Sequence, residues 1–311
     1  MRKWKRSLFG LLSAVLLLAG CGGGSGAGST QPSAEPTENG SQAGGQSVGE
    51  QVGYKIIGID PGAGIMQATA KALEAYGLEQ WELVEGSGAA MTAALQKAYE
   101  NKEPIIVTGW TPHWKFSKFE LKYLDDPKGV YGAAEQIHTV VRKGLKEEKP
   151  SAYAFLDRFN WEPAEMESVM VAIMEGKDPE QAAKDWIAGN EAKVDEWIAG
   201  IEPVNGDKIT LGYVAWDSEI ASTHVVKAVL EDKLGYQVEL SQVEAGPMWV
   251  GVAEGDLDAI VAAWLPTTHA DYYAEYKDKV DDLGPNLDGT KIGLVVPAYM
   301  DIDSIEDLQA E

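Results

Sequence analysis

The chain has 311 residues, of which 45% are hydrophobic and 24% charged, with one cysteine and four histidines. This is globular composition with length enough for two packed cores, and it excludes collagen-like, fully disordered and polytopic membrane classes. A formal charge of -23 repels nucleic acid and anionic headgroups, so a nucleic-acid partner is excluded, and a lone cysteine leaves no internal disulfide.

At the N-terminus Arg2, Lys3, Lys5 and Arg6 precede an apolar run from Leu8 to Ala19 that ends in Leu18-Ala19-Gly20-Cys21. The run is short for a mature membrane helix, and small residues before the cysteine suit a signal peptidase, so residues 1–20 read as a secretory signal. The segment resembles a bacterial lipobox. That resemblance implies lipidation of Cys21 as the mature N-terminus and accounts for an unpaired cysteine in a secreted chain; an ordinary signal with a chance cysteine is the alternative. From Gly22 to Gly53 the chain is Gly, Ser, Gln, Pro and Ala with almost no large apolar residue. It cannot bury enough surface to fold, so residues 21–53 read as a lipidated cysteine followed by a flexible tether with a reach of roughly 30 Å.

Beyond the tether, short apolar runs alternate with amphipathic ones. Strands are predicted at Lys55–Ile59, Trp81–Val84 and Pro104–Thr108, with helices at Gly64–Tyr76 and Ala89–Tyr99 between them. Helices follow at about Ala152–Phe159, Pro163–Glu175, Pro179–Ala188 and Glu191–Ile201, expected to pack on the outside of the first half. The order then repeats as Ile209–Val214, Ser218–Leu234, Gln237–Val243, Met248–Glu254 and Ala259–Ala263. Direct self-similarity accompanies it: IIVTGW at 105–110 matches AIVAAW at 259–264, Pro112 matches Pro266, and IHTVV at 137–141 matches IGLVV at 292–296. Two α/β lobes follow, 54–205 and 206–311, with crossover segments near 137–142 and 291–297. Strands separated by helices imply parallel pairing.

Ligands of open parallel sheets settle at the carboxyl ends of the strands. Those ends carry Asp60-Pro61-Gly62-Ala63-Gly64-Ile65, Gly109-Trp110-Thr111-Pro112, Ala215-Trp216-Asp217-Ser218 and Ala263-Trp264-Leu265-Pro266-Thr267-Thr268-His269. A single tryptophan after a strand is ordinarily core. Three at converging strand ends suggest indole faces around a cation, and a quaternary ammonium suits them because it leaves no N–H unpaired. Trp81, Trp114, Trp161, Trp186, Trp197 and Trp249 read as packing. The glycines of the 60–65 segment allow close backbone approach, and the free amides of Gly64 and Ile65 face whatever sits above, which suits a carboxylate. A plain strand-to-helix turn is the alternative. His269, near a helix start, is a second candidate donor to that carboxylate or else a capping or solvent-facing histidine.

The remaining features are bland. His113, His138 and His224 lack partner motifs, and Asp125-Asp126 and Asp281-Asp282 have no calcium-loop spacing, so no metal site is read. No GxSxG, HExxH, Walker loop or Cys/His pair occurs, which argues against an enzyme and for no cofactor.

From about Tyr54 onward the chain resembles the substrate-binding lipoproteins of glycine betaine ABC transporters of Gram-positive bacteria. The runs that carry the likeness are IIGIDPGAGIM, VTGWTPHW, YLDDPKG, LGYVAWDSEIAST, QVEAGPMW and AAWLPTTH. The resemblance implies a two-lobed α/β fold of the periplasmic-binding-protein kind (type II-like), each lobe a mainly parallel sheet flanked by helices, with the ligand cleft between lobes. It implies a prism of Trp110, Trp216 and Trp264 around the methylated nitrogen, with the carboxylate held by the Gly64 and Ile65 amides and His269. It further implies capture of glycine betaine, and of proline betaine, at the extracellular face of the membrane, with delivery to an ABC-transporter permease for osmoprotection. Choline or carnitine binding is the alternative, and a secreted hydrolase a more distant one.

Overall fold

Most of the short apolar runs become strands and the amphipathic stretches helices in a computed structural model that describes residues 46–309. The signal segment, Cys21 and the tether as far as residue 45 lie outside the described residues. The last residues of the expected tether are ordered: Val48–Val52 forms helix α1. The Glu50 N–H donates to Ser47 Oγ and the Ser47 N–H to the Glu50 carboxylate, a reciprocal cap, while Val48 and Val52 lie against the core. Among the described residues no helix is long and apolar enough to cross a membrane.

The first repeat runs β1 (Lys55–Ile57), α2 (Gly64–Ala75), β2 (Glu82–Val84), α3 (Gly88–Asn101) and β3 (Val107–Thr111), followed by α4 (Lys115–Lys118) and β4 (Leu121–Tyr123). Strand β5 (Glu135–Arg142) opens the middle segment, followed by α5 (Leu145–Glu148), α6 (Pro150–Leu156), α7 (Pro163–Met174), α8 (Pro179–Gly189) and α9 (Glu191–Ile198). The second repeat is β6 (Lys208–Tyr213), α10 (Asp217–Asp232), β7 (Gln237–Gln242), α11 (Ala245–Glu254) and β8 (Ala259–Leu265). Helix α12 (Ala270–Tyr276), the long strand β9 (Val280–Pro297) and a short 3-10 turn at Ile305–Leu308 complete the chain.

Strand pairing reproduces the duplication. Strands β2, β1 and β3 lie side by side and parallel, and β7, β6 and β8 do the same. Each set is extended by one antiparallel strand that comes from the other half. The 291–295 stretch of β9 joins β3, and β5 joins β8. The matched runs 137–141 and 292–296 are thus the exchanged strands, and they give each mainly parallel set one antiparallel strand, so the sheet is mixed. The expected boundary at 205/206 does not follow this pairing, which changes between Tyr123 and Glu135 and again between Thr290 and Lys291.

The expectation that residues 152–201 cover the first half is also corrected. Helices α7 and α8 pack on α10, turning Met166, Val169 and Met170 and then Ala182, Ala183, Trp186 and Ile187 inward. Held between that layer and its own sheet, α10 is buried around most of its circumference, including Ser218, Glu219, Ser222 and Thr223. A helix apolar on one face cannot sit between two layers without burying its polar face too, and small hydroxyl side chains limit the cost because they bond back to the helix. Ser222 Oγ does so, donating to the Ser218 carbonyl at 3.1 Å.

Candidate functional site

Two of the three tryptophans stand on strands rather than in the loops after them. Pairing with β9 carries β3 through Trp110, opposite Ile292, and pairing with β5 carries β8 through Trp264, opposite Ile137. The antiparallel neighbours supply ladder partners beyond the point where the parallel ones stop. Trp216 is the N-cap residue of α10, in extended backbone. All three are nearly buried, at 4%, 6% and 4% exposure for Trp110, Trp216 and Trp264. They line one cavity, together with Ile59, Ala63, Gly64, Ile65, Ser218, Thr268, His269 and Ile292. Every residue singled out in the sequence as a ligand contact therefore meets the others at one place.

Two indoles are fixed by hydrogen bonds between the sheets. Trp110 Nε1 donates to Ser218 Oγ at 3.2 Å, and Trp216 Nε1 donates to Asp60 Oδ2 at 2.8 Å. Both rings line the cavity with their N–H groups already bonded within the protein, so a cation without donors can use their π surface.

The other pole of the cavity is a bare helix end. Helix α2 begins after Ala63, which offers no side-chain cap, and its first turn holds no acidic residue. By contrast, α8 is capped by Asp178 and α3 by Ser87. The Gly64 and Ile65 amides find no acceptor in turns, caps or side chains among the described residues. Two unsatisfied donors at the positive end of a helix dipole form an anion-binding position.

His269 completes that pole. It is fully buried at the N-cap of α12, edge-on to Trp249 at 5.8 Å, so it is neither solvent-facing nor a side-chain cap. The Trp264 N–H donates to its Nδ1 at 3.1 Å, which places the ring proton on Nε2. Nε2 has no hydrogen-bond partner among the described residues. Burial lowers the imidazole pKa to about 4, so at neutral pH it is an uncharged donor.

The two walls touch closely here. A Cβ on Gly64 would come within 2.0 Å of the Thr268 carbonyl, and the Tyr272 hydroxyl donates to the Gly62 carbonyl at 2.8 Å. Buried Glu135 accepts from the amides of Thr267 and Thr268 and from the Thr268 hydroxyl, holding that carbonyl in place. Gly64→Ala is accordingly expected to keep the fold yet hold the walls apart, weakening ligand binding at least about tenfold. Titration calorimetry beside a thermal melt checks both halves of that statement.

Sequence reasoning gave no role to Ser218, Asp60, Thr268, Glu135 and Tyr272, because each acts through a contact to a segment distant in the chain. It also read Trp114 as packing alone, whereas its Nε1 donates to Asp217 Oδ1 of α10 at 3.0 Å.

Comparison with known proteins agrees with the geometry. Residues 37–189 and 207–311 match the family described as the substrate-binding domain of the ABC-type glycine betaine transport system. The glycine betaine/carnitine transport binding protein GbuC of Listeria monocytogenes is 58% identical over 259 residues, covering 82% of this chain and 86% of that protein. Among solved structures, lactococcal OpuAC, closed on glycine betaine, is 51% identical over 48% of this chain and 59% of that one, with a TM-score of 0.47. The glycine betaine/L-proline-binding protein ProX of Borrelia burgdorferi is 36% identical over 49% and 58%, again with a TM-score of 0.47. The aligned part spans less than two thirds of either solved chain. With the family match running through both halves and the Listeria relative aligned across more than four fifths of each chain, this protein belongs to the family of substrate-binding domains of ABC-type glycine betaine transport systems.

Proposed function

We propose that the protein captures glycine betaine, and with it proline betaine, in the cavity between Trp110, Trp216 and Trp264, and hands it to an ABC-transporter permease. The observation that carries this reading is the pairing of poles in one cavity: indole faces at one side, two free amides and the buried His269 Nε2–H at the other. A trimethylated nitrogen brings no hydrogen that the indoles would leave unpaired. A primary ammonium would leave up to three, each costing about 1–3 kcal/mol. The carboxylate takes the three donors, so both charges of the zwitterion are met without a formal charge from the protein.

Wall residues come from both repeats, so a bound ligand contacts both and favours the closed arrangement over the open one. Three desolvated cation–π contacts of about 2 kcal/mol each, with charge-assisted hydrogen bonds, are consistent with affinity of about micromolar after the costs of association. The family works as binding components rather than enzymes, on the outer side of the membrane for import. Cys21 lipidation and the tether would keep the body there, and osmoprotection would be the use of the imported solute.

The test is calorimetry of the lipid-free body against glycine betaine, proline betaine, carnitine, choline and glycine. Glycine betaine and proline betaine are expected to bind and glycine to fail. Affinity should change little between low and high sodium chloride, because no exposed ion pair contributes. A preference for choline or glycine, or a steep loss with salt, would overturn the assignment.

A further inference from the structure

Against Trp110 lies a lysine that is not part of the cavity lining. Lys115, the first residue of α4, is fully buried, and its Nζ sits 4.3 Å from the centre of the Trp110 ring with no hydrogen-bond acceptor among the described residues. Trp110 lines the cavity and Lys115 does not, so the amine occupies the outer face of the same indole whose inner face is offered to the ligand. Resting on the proposed function, we propose that Lys115 sets the preference of this cavity for zwitterions over simple cations that carry the same trimethylammonium head.

The reason is the sign of the charges on the two sides of one ring. A charged amine on the outer face lies about 9 Å from a quaternary nitrogen on the inner face, taking the contact distance of a cation over an aromatic ring. At an effective dielectric of about 20, that repulsion corresponds to a roughly 20-fold loss of affinity for choline. Glycine betaine brings a carboxylate a few ångströms from its nitrogen, and attraction to that group offsets most of the repulsion, leaving a loss of about twofold or less. The discrimination adds to that of the amides and His269, which act on the carboxylate directly.

Lys115 can change its charge in the physiological range. Burial lowers its pKa to about 7, with nearby Asp217 opposing the shift. The titratable groups around it are few. Asp217 comes from α10; burial opposes its charge, but His113, Trp114 and Lys115 outweigh that and hold its carboxyl below the usual range. His113 stands with Nε2 3.3 Å from Asp217 Oδ2, and burial, helped by Lys115, lowers its pKa to about 4. From β4, Tyr123 stacks on Phe116 with its phenol pKa raised by burial, and the exposed Lys291 amine lies over its ring. Strand β9 offers Val295 at this level. Between pH 5.5 and 8.5, therefore, Lys115 is the member of this cluster that switches. Buried Glu219 has its pKa raised well above normal by burial, but it belongs to the Trp264 side and stays in place when Lys115 is replaced.

The experiment measures glycine betaine and choline affinities at pH 5.5 and 8.5 for wild type, Lys115→Met and Lys115→Arg. In wild type, choline affinity is expected to rise about 20-fold with pH and betaine affinity about twofold or less. Lys115→Met should bind choline at least tenfold more tightly than wild type at pH 5.5 and abolish the difference between ligands in pH response. Lys115→Arg should keep choline weak at both pH values. A choline-to-betaine ratio unchanged by Lys115→Met, or a wild-type ratio that is the same at both pH values, overturns the proposal. Should the variants not fold, a wild-type choline-to-betaine ratio that is the same at both pH values still overturns the proposal. A wild type that binds neither ligand overturns the assignment of the cavity, and this proposal with it.

Discussion

Trp110→Ala, Trp216→Ala and Trp264→Ala are each expected to weaken glycine betaine binding by at least about 30-fold, the equivalent of one desolvated cation–π contact of about 2 kcal/mol. The loss should exceed that at Trp110 and Trp216. Those indoles also donate to Ser218 and Asp60 across the gap between the sheets, so their removal weakens closure as well as ligand contact. Phenylalanine separates the two effects, because it keeps a π face but has no N–H. Trp216→Phe should recover part of the ligand contact and leave Asp60 without its donor, whereas Trp264→Phe should recover more. The three single affinities will not sum, since a ring that still faces the ligand adjusts when its neighbour is cut away. Calorimetry with a parallel melt decides the matter: full affinity in all three alanine variants would remove the cage.

His269→Ala is expected to cost glycine betaine about 10- to 150-fold, the value of one hydrogen bond to a charged acceptor, and to leave choline affinity unchanged. The contrast between ligands is the informative readout, because a general loss of packing would lower both. A second signature lies in the pH dependence of stability. Free in the unfolded chain, the ring takes up a proton near pH 6.5, whereas in the folded protein it resists protonation until about pH 4. Between those values the unfolded state binds more protons, so stability is complete above pH 6.5 and falls as pH drops toward 4, by about 3 kcal/mol at the limit. His113, lowered to about 4 chiefly by burial, contributes with the same sign. The ligand-free His269→Ala protein should therefore lose less melting temperature between pH 7 and pH 4.5 than wild type. An equal loss in the two proteins would mean that the ring is not buried as a neutral donor.

Much of the site could be read from the sequence because its parts belong to local patterns. Strand ends are marked by apolar runs that stop, and Trp110, Trp216 and Trp264 stand at three such stops. An alanine at the cap position followed by Gly64 announces an uncapped helix, since neither residue can satisfy the first-turn amides. The duplication was visible too, because equivalent strands keep similar apolar residues at a nearly constant offset.

What the sequence could not express is which segments lie against one another. The repeat marked crossover segments near 137–142 and 291–297, but the antiparallel pairing of β5 with β8 and of β9 with β3 spans more than a hundred residues, and no local period records it. The same holds for α7 and α8, whose apolar faces showed that they pack but not that α10 is their partner. Lys115 is the clearest case. Within His113-Trp114-Lys115-Phe116 it looks like an ordinary surface lysine, and it is buried only because Trp110, Phe116 and β9 close over it. The sequence by itself determined the repeated strand-helix order, the bare helix end and the three indoles at strand ends, since spacing and residue type suffice for these. Only the tertiary structure decided that they line one cavity, that the buried, neutral His269 lines it too, and that a buried amine lies against one of the rings, because desolvation and contact are set by the packing of distant segments.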